Sequence, residues 1–401
     1  MQLSINNTVE NGLSANSMDA YAYLEDSSAV TVELAPDVDG PWDSLLPVSG
    51  EQEKRAMKLY KDSIVFDLHN HVHRLPKNVL SDFESYARSG RVANGYQGIA
   101  KSRMTACFNG YGGSVGRRSS PQAWQFDDIL WDLGMRQADI LHHPTVTMPG
   151  TCVADIYKAK ERGICAIFAN VENAGIIGNE LDRLDVLYGF GVRCLGLSYN
   201  QRNTLADGSN EKEEGGLSLL GVKAVLRMNQ LGILMDFAHS SDRAILDTLE
   251  VSRVPCCISH SIPLALRDHP KAKSDEILKL IAKEGWVFGV QSVPNITSSG
   301  KEQSIIDVAD QIDHCVEVMG IDHVAIGTDS MFGNHRDLHK CISKMMGHAH
   351  KGFMGEYVKY LENPGELPNL GRILVLRGYS DEDIGKLLGM NIVHLLGNTI
   401  G

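Results

Sequence analysis

His69 and His71 stand two residues apart at the end of an apolar run, SIVFDLHNH. In an extended segment residues i and i+2 share a face, so both imidazoles can turn toward one cation. Alone, this spacing equally fits a polar loop after a strand. Other apolar runs end in the same kind of residue: Glu172 after ICAIFANV, His239 after GILMDFA, His260 after VPCCIS and Asp329 after HVAIGT. A carboxylate such as Glu172 can bridge two cations, although a glutamate there also suits the positive end of a helix dipole. One histidine in such a place is more often structural. Two on successive runs, with a His-x-His pair upstream, reverse that reading. Asp329 next to a metal-activated water can orient the water and take its proton. Imidazole and carboxylate donors suit Zn²⁺, with Mn²⁺ or Fe²⁺ as alternatives, as one ion or two. Two ions about 3.5–4 Å apart can share a hydroxide and bring its pKa toward neutrality. The chemistry that follows is hydrolysis at a carbonyl or similar electrophilic carbon.

Short apolar runs alternate with longer amphipathic segments from residue 55 onward, the pattern of parallel strands and crossover helices. Eight runs read as strands: Ser63–Asp67, Met104–Phe108, Cys165–Asn170, Val192–Ser198, Ile233–Phe237, Val254–Ser259, Val287–Val290 and His323–Thr328. The clearest helices are Pro121–His142 and Leu217–Leu231, with Ser380–Leu396 closing the chain. Eight such strands predict an α/β fold, a (β/α)8 TIM barrel over residues 55–401 preceded by an acidic extension, 1–54. An open doubly wound sheet is the competing arrangement, but no GxGxxG follows the first strand. Barrel chemistry gathers at the C-terminal ends of strands. Six of the eight runs end in a residue able to bind metal or move a proton, counting Tyr199 on the fourth.

The 401-residue chain is 43% hydrophobic and 22% charged, an ordinary globular composition. No stretch nears the roughly 20 apolar residues of a membrane span, and the first residues lack the basic-then-apolar pattern of a secretory signal. The net charge of −12 argues against nucleic acid. Residues 1–53 hold ten acids and no Lys or Arg, which leaves the rest at −2. This leader reads as a solvated tail or as a segment packing on a neighbouring subunit, with Ala29–Leu34 forming a short strand. The eight cysteines show no CxxC spacing, so reduced thiols and a cytoplasmic protein are expected.

Several ordered motifs resemble the membrane (renal) dipeptidase family of the amidohydrolase superfamily. They are the strand-1 histidines, NVEN around Glu172, LGLSYNQRNTLADG, GLSLLGVKAVLRMNQLGILMDFAHSS, ISHSIPLALRDHPK, DHVAIGTDS and the closing GMNIVHLLG. The resemblance implies a barrel, often dimeric, that uses zinc to cleave dipeptides, including those with a D- or dehydro-residue on the C-terminal side. It implies that His69 and residue 71 bind a first metal, Glu172 bridges, His239 and His260 bind a second, and Asp329 is the catalytic acid/base near the first. Where the family has His-x-Asp, this chain has His69-Asn70-His71, one negative charge fewer. The family's Arg-Asn, whose arginine grips the substrate carboxylate, falls at Lys271-Ala272, and a lysine is a point charge rather than a two-point fork. Tyr199 stands where the renal enzyme has a carbonyl-polarising histidine.

Lys271, Tyr199 and Asn200 are accordingly the expected substrate contacts, with Asn203 and Gln291 further candidates. The expected partner is a dipeptide or other small molecule, and neither nucleic acid nor membrane. The competing reading, motivated by His71 and Lys271, is a one-metal enzyme that decarboxylates or tailors a small carboxylated metabolite. A non-catalytic binding barrel fits least with the retained Glu172, His239, His260 and Asp329. His73, His142, His143, His269, His314, His323, His335, His348 and His350 read as surface or structural. Gly110–Gly116 reads as a flexible loop over the site, and Glu211–Glu214 as a solvated turn.

Overall fold

The computed structural model describes residues 18–24, 30–41, 44–112, 116–119, 124–294, 296–300, 302–345 and 357–401. Its strands are β1 (Phe66–Arg74), β2 (Ala106–Tyr111), β3 (Thr147–Gly150), β4 (Cys165–Val171), β5 (Val192–Gly196) and β6 (Leu234–Asp236). They continue with β7 (Cys257–Ser261), β8 (Val287–Val290), β9 (Gln303–Ser304), β10 (Val324–Ile326), β11 (Met331–Phe332) and β12 (Val358–Lys359).

The main sheet is parallel and runs β10-β8-β7-β6-β5-β4-β2-β1-β11. Its two ends, β10 and β11, are successive pieces of one stretch of chain. Between them Asp329 N–H donates to His69 O at 2.8 Å and His71 N–H to Ser330 O at 2.9 Å. The stretch 324–332 therefore bonds β8 on one side and β1 on the other, and the ring closes as the expected (β/α)8 barrel. β3, which the sequence did not suggest, pairs with the first half of β4 while β5 pairs with the second half. β9 and β12 form a separate small ladder.

The local sequence explains the helices that wrap this ring. Ser218, Ser241 and Ser274 each cap a helix N-terminus by accepting a backbone N–H three residues on, ahead of Leu219–Leu231, Asp242–Val251 and Asp275–Lys283. β2 and β4 are buried along their whole length, as strands covered on both faces must be. Phe66, Phe108 and Phe168 fill the lower barrel with ring centroids 5.5–5.7 Å apart. Ile392, Leu395 and Leu396 of the last helix join the same cluster and plug that end. Chemistry is thereby confined to the other mouth.

Three expectations are corrected. Strand 1 is longer than Ser63–Asp67, because the 324–332 stretch supplies its upper half with a partner; His69 and His71 lie on the strand itself. The closing helix is not continuous over Ser380–Leu396: a π segment, Lys386–Met390, interrupts it. There Gly389 lies so close to the first strand that a Cβ would come within 2.6 Å of Ile64 O. Of the expected strand Ala29–Leu34, residue 29 lies outside the described residues and 30–34 form no strand. Leu34 forms a lone bridge to Pro76, and Pro36 and Pro76 lack the N–H groups a ladder needs. The leader's described part packs on its own barrel: Tyr21 N–H donates to Asp139 Oδ1 at 2.7 Å and Leu46 N–H to Asn369 Oδ1 at 2.9 Å.

Candidate metal centre

A bulge in β1 between Asp67 and Asn70 shifts its register against β2, and bulges re-aim side chains. Below it Phe66 and Leu68 join the barrel core. Above it His69 and His71 converge, with Nε2 atoms 3.3 Å apart. Glu172 follows β4 and sits between two imidazole pairs. Its Oε2 is 3.8 Å from His69 Nε2 and 3.4 Å from His239 Nε2, and its Oε1 is 3.9 Å from His71 Nε2. His239, after β6, and His260, on β7, bring their Nε2 atoms to 3.0 Å. Asp329 Oδ1 is 3.3 Å from His71 Nε2 and 3.7 Å from His69 Nε2, and its Oδ2 is 3.8 Å from His260 Nε2. Its backbone takes φ +55°, a costly conformation for a non-glycine residue. The six side chains expected from the sequence thus meet at one mouth of the barrel.

Hydrogen bonds decide which ring nitrogen faces inward. Ser259 Oγ donates to Asp236 Oδ2 at 2.5 Å, so it accepts from His260 Nδ1–H at 2.7 Å. His239 Nδ1–H donates to Asn200 Oδ1 at 2.7 Å. Both Nε2 atoms therefore present lone pairs toward one gap across 3.0 Å, an arrangement that a cation in the gap would satisfy. His69 Nδ1 lies 3.0 Å from the Asn170 amide. Turning that amide half a revolution places its oxygen, otherwise without a partner among the described residues, on the His69 Nδ1–H and leaves the Nε2 lone pair free to bind a metal. Such orientation from behind is what metal-binding histidines require. The N–N and N–O separations of 3.0–3.9 Å are those of donors sharing an ion through bonds of about 2.0–2.2 Å. His69, His71 and Glu172 form one such group, and Glu172, His239 and His260 another. The donor set fits a divalent cation.

Electrostatics support the same view. Burial holds His69, His239 and His260 well below the ordinary histidine range, with neighbouring cationic groups adding to it; neutral imidazole is the ligating form. Burial also lowers His71, but Asp329 and Glu172 outweigh it and leave it above its usual value. Burial pushes Glu172 up to about 7, with His71 opposing. Burial raises Asp329 too, yet His260, His71 and His69 more than offset it and keep the carboxylate ionised.

The expected substrate contacts are placed as follows. The Tyr199 ring lies 4.2 Å from that of His239. Asn200, at φ +58°, commits its side-chain oxygen to His239. Lys271 is buried, and its Nζ lies 3.3 Å from His239 Nε2. Asn203 instead braces its own loop through Leu205 and Ala206 N–H. Gln291 is buried at the end of β8. Gly110 is part of β2 rather than a loop, residues 113–115 lie outside the described residues, and so does His348-Ala349-His350.

Other residues of the site were not read from the sequence. Asp67 accepts from Thr328 N–H at 2.9 Å and Thr328 Oγ at 2.5 Å, locking the last strand onto the first. Asp236 accepts from Ser259 N–H at 2.8 Å and Ala238 N–H at 3.0 Å. Both acids interrupt apolar runs, VFDLH and LMDFAH, and that was a usable signal, since a buried charge needs dedicated partners. His335 is not surface-lying: it is buried, and its Nε2 lies 3.1 Å from that of His339, one turn along the helix His335–Met345. With His71, Glu172, Tyr199 and Asp329 these residues line a space of ≈ 30 Å³, about one water's share.

A closed parallel barrel whose mouth gathers four imidazoles and two carboxylates within ion-binding reach defines a metal-binding (β/α)8 protein. Residues 53–337 match the family described as Membrane dipeptidase (Peptidase family M19), and the chain belongs to that family. It is 27% identical over 245 residues to Dipeptidase tcpJ of Claviceps purpurea, a match covering 60% of this chain and 53% of tcpJ. It is 26% identical over 338 residues to Dipeptidase aclJ of Aspergillus oryzae, covering 82% of this chain and 74% of aclJ. The match thus spans about half the length of the first relative. Among solved structures, an amidohydrolase from Pseudomonas aeruginosa superposes with a TM-score of 0.74 at 27% identity, covering 86% of this chain and 99% of that one.

Proposed function

We propose that this protein is a metal-dependent hydrolase that cleaves the amide bond of a dipeptide or small peptide-like substrate. The observation that carries the reading is the inward-facing lone pairs of His239 and His260, with Glu172 between them and the His69–His71 pair. His69, His71 and Glu172 would hold one cation and Glu172, His239 and His260 the other, with Zn²⁺ the ion best suited to this nitrogen-rich set and Mn²⁺ or Fe²⁺ as substitutes. When bound, such ions supply Lewis acidity toward a carbonyl oxygen and acidify water. Asp329, held ionised, takes the proton of the attacking water and returns it to the departing amine. Tyr199 flanks the scissile carbonyl, and the Lys271 ammonium holds the substrate carboxylate. Asn200 acts through its grip on His239.

The catalytic unit is residues 55–401, with 1–54 an extension whose described residues, Tyr21 and Leu46 among them, bond to it. All eight cysteines are unpaired, which supports a reducing, cytoplasmic setting. Among the described residues no helix is long and apolar enough to cross a membrane. Pairing into a homodimer rests on the family resemblance, and light scattering tests it. The function itself is tested by metal analysis together with a panel of L,L- and L,D-dipeptides. Turnover that chelator abolishes and Zn²⁺ restores is expected, and a metal-free protein inert toward the whole panel would overturn the reading. A one-metal enzyme acting on a small carboxylated metabolite is the second reading, favoured by Lys271 against His239.

A further inference from the structure

We propose that Lys271 makes the second cation site conditional. Its ammonium lies on the lone pair of His239 that a cation needs, and an anionic group of the substrate draws the lysine away as that cation binds. The inference rests on the metallohydrolase reading above and deepens it.

The argument turns on one nitrogen. His239 spends its Nδ1–H on Asn200 Oδ1 at 2.7 Å, so Nε2 carries one lone pair and no proton. Lys271 Nζ lies 3.3 Å from that atom, and an ammonium has only donors to offer. One lone pair cannot serve an N–H donor and a metal at the same time. His260 cannot take over as the lysine's partner in this role, because its Nε2 faces the same gap, 3.0 Å from His239 Nε2. The lysine is held there by its own backbone: Lys271 O accepts from Ser261 Oγ at 2.7 Å, and Lys271 N–H donates to His269 Nδ1 at 3.2 Å. Its neighbour two residues on shows the contrast. Lys273 is equally buried but donates to Ser240 O at 3.0 Å and Asp242 Oδ1 at 2.8 Å, so its charge is committed to structure. The ammonium of Lys271 is aimed into the metal centre.

A cation entering between His239, His260 and Glu172 meets a fixed positive charge and must take its ligand's lone pair. Among the described residues no lysine or arginine hydrogen-bonds to Nε2 of His69 or His71, so the first ion should bind more tightly than the second. A substrate carboxylate reverses this, because a charge-assisted hydrogen bond from a buried ammonium to a carboxylate is stronger than one to a neutral imidazole. The substrate class implied is a small amide with a free carboxylate close to the scissile bond, and its binding and the second ion's are mutually reinforcing.

The test is calorimetric titration of the full-length, metal-stripped chain with Zn²⁺ alone, checked by elemental analysis after dialysis. Wild type should show two steps separated by about tenfold or more in Kd. In Lys271→Met the weak step should tighten by about tenfold or more, leaving two ions after dialysis where wild type keeps one. N-Acetylglycine, a small amide carboxylate, should tighten the weak step in wild type and leave Lys271→Met unmoved. Lys271→Gln, checked by circular dichroism, gives the same readout if the methionine variant does not fold. Two equal steps in wild type, unchanged in both variants and by N-acetylglycine, would overturn the inference while leaving a binuclear hydrolase intact. No zinc bound by any of the proteins would overturn both.

Discussion

His69–His71 and His239–His260 are two imidazole pairs facing one shared glutamate, and they are held in place by different means. In the second pair each ring is gripped from behind, His239 by Asn200 and His260 by Ser259, with Ser259 in turn fixed by Asp236. In the first pair only His69 has such a grip, from Asn170, while His71 Nδ1 has no hydrogen-bond partner among the described residues. Packing positions His71 instead. Gly110 of β2 lies under its ring, and a Cβ there would come within 2.3 Å of Cε1. The second pair is therefore specified by hydrogen bonds and the first by the shape of its cradle. A ring wedged by shape tolerates changes in polarity but not in volume, whereas a ring held by a hydrogen bond has the opposite sensitivity.

The largest effect belongs to the carboxylate that spans both pairs. Asp329 touches His71 and His69 through one oxygen and His260 through the other. Asp329→Asn keeps the shape and removes the proton acceptor. Steady-state kinetics on the best dipeptide should show kcat/KM falling by about 10²–10⁴, the usual contribution of a general acid–base group, with zinc content retained. An unchanged rate would remove Asp329 from the chemistry and leave the two pairs with no common catalyst.

Next comes the cradle. In Gly110→Ala the methyl group cannot fit unless the His71 ring moves, and overpacking of this kind costs about 1–3 kcal/mol. Zinc titration should show one step weakened by about ten- to a hundredfold and the step assigned to His239 and His260 unchanged. His71→Asp in the Gly110→Ala background replaces the ring with a short carboxylate and should recover that step. If both steps weaken together, the two pairs do not act separately. If the double variant stays weak, shape is not what places residue 71.

The sequence made one half of this comparison visible and hid the other. Ligand positions were legible because apolar runs ending in His, Glu or Asp mark the mouth of a barrel, and the strand count followed from the same runs. The braces behind them were harder to see. Asn170, Asn200 and Ser259 are common polar residues at strand ends, and only the closed ring brings Asn170 of β4 to His69 of β1. Asp67 and Asp236 were readable as acids inside apolar strands. Gly110 looked like part of a glycine-rich loop, since nothing local says that a ring from the next strand fills the space where its side chain would be. His335 and His339 reach the site from the helix that follows β11, and their separation of four residues gives a shared helix face without saying what that face covers. The π segment around Gly389 was hidden for the same reason: its cause, the backbone at Ile64, is more than three hundred positions away in sequence.

The smallest effect separates the braces themselves. Asn170→Ala and Asn200→Ala each remove one partner of an Nδ1, and losing such a partner typically lowers metal affinity by about ten- to a hundredfold. His69 is also stacked against His260, ring centroids 3.8 Å apart at 25° and closer than Tyr199 is to His239, so its ring should stay in place when Asn170 is lost. His239 is flanked by Tyr199 at a 30° tilt and already meets Lys271 at its Nε2, so its orientation depends more on Asn200. Asn200→Ala should therefore weaken its zinc step toward the upper end of that range and Asn170→Ala toward the lower end. Asn200→Asp, which keeps the acceptor, should restore the His239 step because it still receives the Nδ1–H. Equal losses in the two alanine variants would show that stacking contributes nothing to the first pair, and the distinction between a pair held by shape and a pair held by hydrogen bonds would then rest on His71 alone.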